Sequence, residues 1–143
     1  MKRLHIGILI LGLATPWTIY IVPNGEPSFV FAWGLLNIAP LHIVTLPTYL
    51  LTLTNNPLTL PQRLLAWPIS TGLYGLAIGN YLLQFFDLED QRLTAGLLFL
   101  AAGNLLFFTL GTTVFPKVIG LPIGTVIVGF IGILLYWRPY QTQ

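Results

Sequence analysis

Charge is what this sequence has least of. Its 143 residues include six Lys or Arg and four Asp or Glu, a charged fraction of 7%. An ordinary soluble domain carries about 25%. Hydrophobic residues make up 55%, and the mean hydropathy is +0.82. Such a chain is no disordered tail, coiled coil or DNA-binding domain. Cysteine is absent, which excludes disulfides, thiolate catalysis and cysteine-ligated metal or iron–sulfur sites. The sequence pI of about 9.2 rests on a net charge of +2, so it implies no nucleic-acid partner. Composition leaves an integral membrane protein.

The long apolar segments contain no Asp, Glu, Lys or Arg in their interiors. That removes the mid-membrane lysine of a Schiff-base photoreceptor and the buried carboxylates of proton-coupled pumps. Ser28 and Ser70 stand in no nucleophile-elbow context. No phosphate-binding glycine loop is present either. Catalysis needs a nucleophile with a base, a carboxylate pair or a metal cluster. The expectation is therefore a non-enzymatic protein without a cofactor.

What is present is length of apolar sequence. A helix needs about 20 apolar residues to cross about 30 Å of hydrocarbon. Five segments qualify: 4–22, 30–53, 64–86, 93–115 and 119–137. They predict an all-α helical bundle of five transmembrane helices forming a single domain, 1–143, in the cell membrane as a multi-pass protein. Lys2 and Arg3 before an apolar stretch also suit a signal peptide. The stretch continues through Trp17 and Val22 with no small-x-small cleavage site, so it counts as the first span. The positive-inside rule sets the orientation. With the N-terminus cytoplasmic, Lys2, Arg3, Arg63 and Lys117 lie inside, and Arg92 and Arg138 outside.

Proline and glycine punctuate these segments. Pro16 kinks or ends the first, Pro40 and Pro47 bend the second, and Pro122 lies in the fifth. Gly75/Gly79 and Gly120/Gly124 form small-residue pairs that allow close helix approach. They predict faces for a homo-oligomer or a membrane-protein partner, with the lipid bilayer as the surrounding partner. Residues 71–80 and 95–104 echo one another in their Gly, Leu, Ala and Gly-Asn positions. An inverted repeat would signal a transporter, but chance or local duplication without function is the favoured reading.

Few polar groups remain for chemistry inside the membrane. His42 is the single ionisable side chain near the middle of a predicted span, and such a group is a candidate site by default. His42, Thr45, Tyr49 and Thr52 recur at helical spacing, with Asn37 close by in sequence. Asn80, Gln84 and Asp87 continue one face toward an outer acidic loop of Asp87, Glu89 and Asp90. Asn104 belongs to the next span. The amides serve either interhelical hydrogen bonding or a polar path. The acidic loop lacks a calcium-loop pattern and is taken as a solvated turn, with Asp90 and Gln91 capping the following helix.

Several segments carry a resemblance when taken together. They are Pro16-Trp17, 31–37 (FAWGLLN), 60–68 (LPQRLLAWP), 90–98 (DQRLTAGLL), 122–126 (PIGTV) and Tyr136-Trp137-Arg138-Pro139. In this order they resemble a family of small, functionally uncharacterised multi-span membrane proteins of haloarchaea. The resemblance spans most of the chain, which departs from it in amide-rich loops such as Asn55-Asn56. It implies an archaeal plasma membrane and a helical bundle, and it transfers no site residue. The reading is a structural or accessory membrane component. The alternative is a small transporter or channel with a polar path near His42, Asn80 and Asn104.

Overall fold

The computed structural model describes residues 2–23, 25–52, 61–86, 88, 90–112 and 117–137. Helix α1, Lys2–Ala14, opens the chain. Pro16 follows two residues later and pushes the residue before it toward an extended backbone. The Trp17 indole N–H donates back to the Gly12 carbonyl at 2.8 Å and closes the helix end. The next residues are β-branched or aromatic and form strand β1, Thr18–Ile21.

Strands β2, Ser28–Val30, and β3, Gly34–Asn37, make a hairpin, and β4, His42–Thr45, makes a second one with β3. The turn of the second hairpin contains a cis Ala39–Pro40 bond. Gly34 is required where two strands come close, since a Cβ there would stand 2.9 Å from the Val44 carbonyl oxygen. The last strand, β5, Ile119–Leu121, returns from far along the chain to pair with β1, setting Tyr20 opposite Gly120. The sheet is antiparallel with order β4-β3-β2-β1-β5.

Helix α2, Leu46–Thr52, is short. Helix α3, Gln62–Leu82, runs into a 3-10 turn, Leu83–Phe86, and returns as α4, Gln91–Thr112. The two lie antiparallel, because Asn80 meets Thr94 near one end and Arg63 meets Gly111 near the other. Helix α5, Ile123–Tyr136, packs on α4, with Gly132 against Leu98 and Phe99. Trp17, Trp67, Tyr74, Tyr81, Leu98 and Leu105 are fully buried and form the core. Trp17 and Tyr74 meet edge to face at 5.4 Å. The sheet joins the helices through the Trp67 indole, which donates to the Phe31 carbonyl, and through the Thr71 hydroxyl, which donates to that of Ala32.

This fold corrects the all-α, five-helix expectation. The 4–22 segment is a 13-residue helix followed by a strand. The 30–53 segment contains two strands and a seven-residue helix, not a bent span. The 119–137 segment is divided by Pro122 into strand β5 and a 14-residue helix. Proline supplies the physical reason at Pro16, Pro40 and Pro122, by removing a donor and fixing φ. The description as a multi-span transmembrane protein falls with it, and so does the orientation built on five crossings. Among the described residues, one helix is long and apolar enough to cross a membrane, Gln91–Gly111. Within the segments 64–86 and 93–115 the described residues do hold long helices, α3 to Leu82 and α4 to Thr112.

Candidate functional site

Two places combine unusual chemistry with shape. The first is a polar knot where α3 ends and α4 begins. Asp90 caps α4, its carboxylate accepting from the backbone N–H groups of Arg92 at 2.9 Å and Leu93 at 3.1 Å. This satisfies donors that a helix N-terminus otherwise leaves open. Asn80 reaches across from α3 and donates to the Asp90 carbonyl oxygen and the buried Thr94 hydroxyl, each at 2.7 Å. Gln91 donates to the Leu135 and Tyr136 carbonyl oxygens at 2.6 and 3.2 Å, capping the C-terminus of α5. One turn thereby ties three helices. Beside it, the rings of His5 and Tyr81 stand 6.4 Å apart.

Gln84 lies in the 3-10 turn and is 4% exposed. Both its amide atoms are buried without a hydrogen-bond partner among the described residues. Such groups are rare in folded proteins, because an unmade buried bond costs about 1–3 kcal/mol.

The second place is a seam between α1 and α5. Tyr74 pulls α1 toward α3, its hydroxyl donating to the Leu9 carbonyl oxygen at 2.8 Å. Gly12 faces the same hydroxyl so closely that a Cβ there would collide with it. Held this way, α1 leaves a groove of about 420 Å³ against α5, lined by Ile8, Leu11, Gly12, Thr15, Val126, Ile127, Phe130, Ile131 and Leu134. The polar Thr15 hydroxyl is turned to its own helix and donates to Gly12 at 3.2 Å.

The residues expected to share a polar path are dispersed. His42 is exposed on the edge strand β4 and pairs across the ladder with Asn37. Neither lies on a helix. Asn104 donates to the carbonyl of Leu100 within its own helix at 3.1 Å, and Asn80 is spent on the knot. Asp87 and Glu89 lie outside the described residues. Among the described residues, no group of three or more His, Asp or Glu stands together as a metal site would require. Of the glycine pairs, Gly75 and Gly79 meet nothing within 4 Å, Gly120 is in β5, and Gly124 is buried. A Cβ on Gly124 would lie 2.6 Å from the Trp17 Cα. Gly124 therefore packs within the chain, while Gly75 and Gly79 face outward.

One contributor was not singled out in sequence. Tyr74 reads as an ordinary apolar position, and its role depends on Leu9, distant along the chain; Trp17, noted in sequence only beside Pro16 and as an aromatic, is fully buried against Tyr74. Tyr49 meets Trp67 edge to face at 4.9 Å, and burial pushes its hydroxyl pKa above the usual tyrosine value.

Over residues 2–143 the chain matches the family described as Domain of unknown function (DUF8050), and it belongs to that family. No curated protein matches the chain.

Proposed function

We propose that the chain is a non-catalytic, structural or accessory protein whose partner is a lipid bilayer. The outward face of α4 carries this reading. From Leu93 to Leu110 every exposed position on that helix is Leu, Phe or Gly. Leu100, Phe107 and Leu110 are 59%, 49% and 56% exposed. At 1.5 Å per residue the stretch runs about 26 Å, close to the ~30 Å of a hydrocarbon core. Charge resumes at its ends. Asp90 and Arg92 stand before Leu93, and Arg63 donates to the Gly111 carbonyl beyond Leu110.

Helix α3 also exposes apolar residues, Ile69, Leu76 and Leu82, with the exposed Gly72, Gly75 and Gly79 among them. Soluble monomers rarely expose contiguous apolar patches beyond a few hundred Å². Lipid tails remove the cost of leaving such a surface in water. The dispersal of His42, Asn80 and Asn104 supports no polar path, so the transport alternative has no observation in its favour.

The test is flotation of the purified full chain with phosphatidylcholine vesicles after detergent removal, followed by a high-salt, alkaline wash. The expected result is a chain that floats with the vesicles and survives the wash. A chain that stays monodisperse in buffer and leaves the vesicles overturns the reading.

A further inference from the structure

The geometry points to the end of the helices that carries the polar knot as a surface seated in the headgroup layer of a phospholipid bilayer, an inference that rests on the bilayer role proposed above. The Gln91 amide holds the Tyr136 carbonyl oxygen at 3.2 Å, so α5 ends level with the start of α4. Tyr136 and Trp137 stand at that level, 53% and 79% exposed. The turn between α3 and α4 closes at the same end, its Leu88 N–H donating to the Leu83 carbonyl oxygen at 3.1 Å. Phe85 and Phe86 are exposed on that turn. Asp90 and Arg92 flank Gln91 and are exposed as well. Large exposed rings and exposed charges therefore share one level of the molecule.

That mixture selects its surroundings. In hydrocarbon, Asp90 and Arg92 would be charges at membrane depth, which bilayers keep out of their centre. In water, the rings would add to an apolar surface that soluble monomers avoid. A second copy of this chain would have to bury both charges among the rings, and the cores of protein interfaces are poor in charge. The headgroup layer accepts both kinds of group. Trp and Tyr rings concentrate there, and an Arg side chain lays its stem along apolar surface while its guanidinium stays wet. The placement also continues the outward face of α4. Leu93, the first residue of that face, follows Arg92 directly, so the face enters hydrocarbon where the knot ends.

Trp137 is its own reporter. The experiment reconstitutes the full chain in phosphatidylcholine vesicles and follows tryptophan emission. The quenchers are lipids brominated next to the acyl carbonyl, lipids brominated near the terminal methyl, and acrylamide in the water. Trp137→Phe is measured alongside. The difference between the two chains is the signal of Trp137, since Trp17 and Trp67 are fully buried and Trp33 is common to both. The expected result is a greater loss of Trp137 emission to the shallow bromines than to the deep ones. Cysteine is absent, so Phe86→Cys and Leu100→Cys can each carry one nitroxide, which answers the same question should Trp137→Phe fail to fold. The Leu100 label should be relaxed by oxygen and spared by a water-soluble nickel chelate. The Phe86 label should be relaxed by both.

Trp137 quenched more by the deep bromines, by acrylamide alone, or by none of these overturns the inference, because this end then lies in hydrocarbon, in water or against protein. The nitroxides separate it from the bilayer role. A Leu100 label in hydrocarbon beside a Phe86 label relaxed by the chelate alone removes the headgroup seat and keeps the role. A Leu100 label relaxed by the chelate removes both, since the seat needs a membrane.

Discussion

The Tyr74 hydroxyl donates to the carbonyl oxygen of Leu9, 65 residues away in sequence, at 2.8 Å. The ring has no exposed surface, so this bond is made inside the core, where a lost partner cannot be replaced by solvent. Tyr74→Phe keeps the packing and deletes the donor, and should cost about 1–2 kcal/mol. Tyr74→Ala also opens a cavity and should cost about 3–5 kcal/mol. Denaturant unfolding measures both. Equal losses in the two variants would mean that the ring is poorly packed, and no loss in Tyr74→Phe would mean that the hydroxyl bond contributes nothing.

Glycines that look alike in sequence should respond oppositely to alanine. A Cβ at Gly124 would stand 2.6 Å from the Trp17 Cα, and backbone cannot step aside as a flexible side chain can. Gly124→Ala should therefore destabilise by about 1–3 kcal/mol, as overpacking does. Gly75 meets nothing within 4 Å and sits inside α3. Gly75→Ala should stabilise by up to about 1 kcal/mol through helix propensity. Paired unfolding curves with shifts of the same sign would contradict the packing described here.

The asparagines of α3 and α4 should also separate. Asn80 bridges α3 to Asp90 and Thr94 at the start of α4. Its replacement by Ala deletes both interhelical bonds, although the Thr94 hydroxyl keeps its own bond to the Asp90 carbonyl oxygen, and should cost about 1–2 kcal/mol. Asn104 bonds within its own helix, so Asn104→Ala should stay within about 0.5 kcal/mol of the parent. Thermal melts of the two variants decide the matter. A large effect at Asn104 would revive a shared polar role for these amides.

Tyr49 links stability to alkaline pH. Burial raises the pKa of its hydroxyl in the folded chain, whereas the unfolded chain titrates near ~10. Below that value both states hold the proton and the contribution is fully present. As pH rises toward the folded pKa, the unfolded state releases the proton first and the contribution is lost. The parent chain should weaken above about pH 10, and Tyr49→Phe should weaken less steeply. Unfolding midpoints measured across that window should show the difference in slope, and parallel slopes would exclude the burial of Tyr49.

Parts of this fold are legible from hydropathy alone. The segments 64–86 and 93–115 anticipate α3 and α4 because both helices are long and uninterrupted by turn signals. Pro68 is accommodated within α3. The sheet is not legible in the same way. Ile19, Tyr20 and Ile21 raise an apolar window as much in a strand as in a helix, and short apolar runs do not reveal which. The local clue was β-branched residues set beside Pro16 and Pro40. The pairing of Tyr20 with Gly120 lies beyond any local pattern. The candidate sites divide likewise. Asp90 capping follows from its place before Gln91 and Arg92, while the α1–α5 seam depends on how Tyr74 holds Leu9. His42 was misplaced because its three- and four-residue spacing to Thr45 and Tyr49 mimics a helix face across a strand–helix junction.

The outward face of α4 gives the sharpest test of the proposed bilayer role. Leu100 lies near its middle, 59% exposed, and touches the surroundings more than the core. Leu100→Arg should thus be nearly neutral to the folded chain in buffer or detergent, within about 0.5 kcal/mol. If the face lies against hydrocarbon, the guanidinium would meet the bilayer centre, at a cost of about 2.5–3.5 kcal/mol. The variant should fold and then lose vesicle partitioning by about 70- to 400-fold. Arg92→Leu, at the charged end of the same face, should leave partitioning unchanged or strengthen it. Unchanged partitioning of Leu100→Arg would place this face against something other than lipid, since no hydrocarbon surface is indifferent to a buried guanidinium.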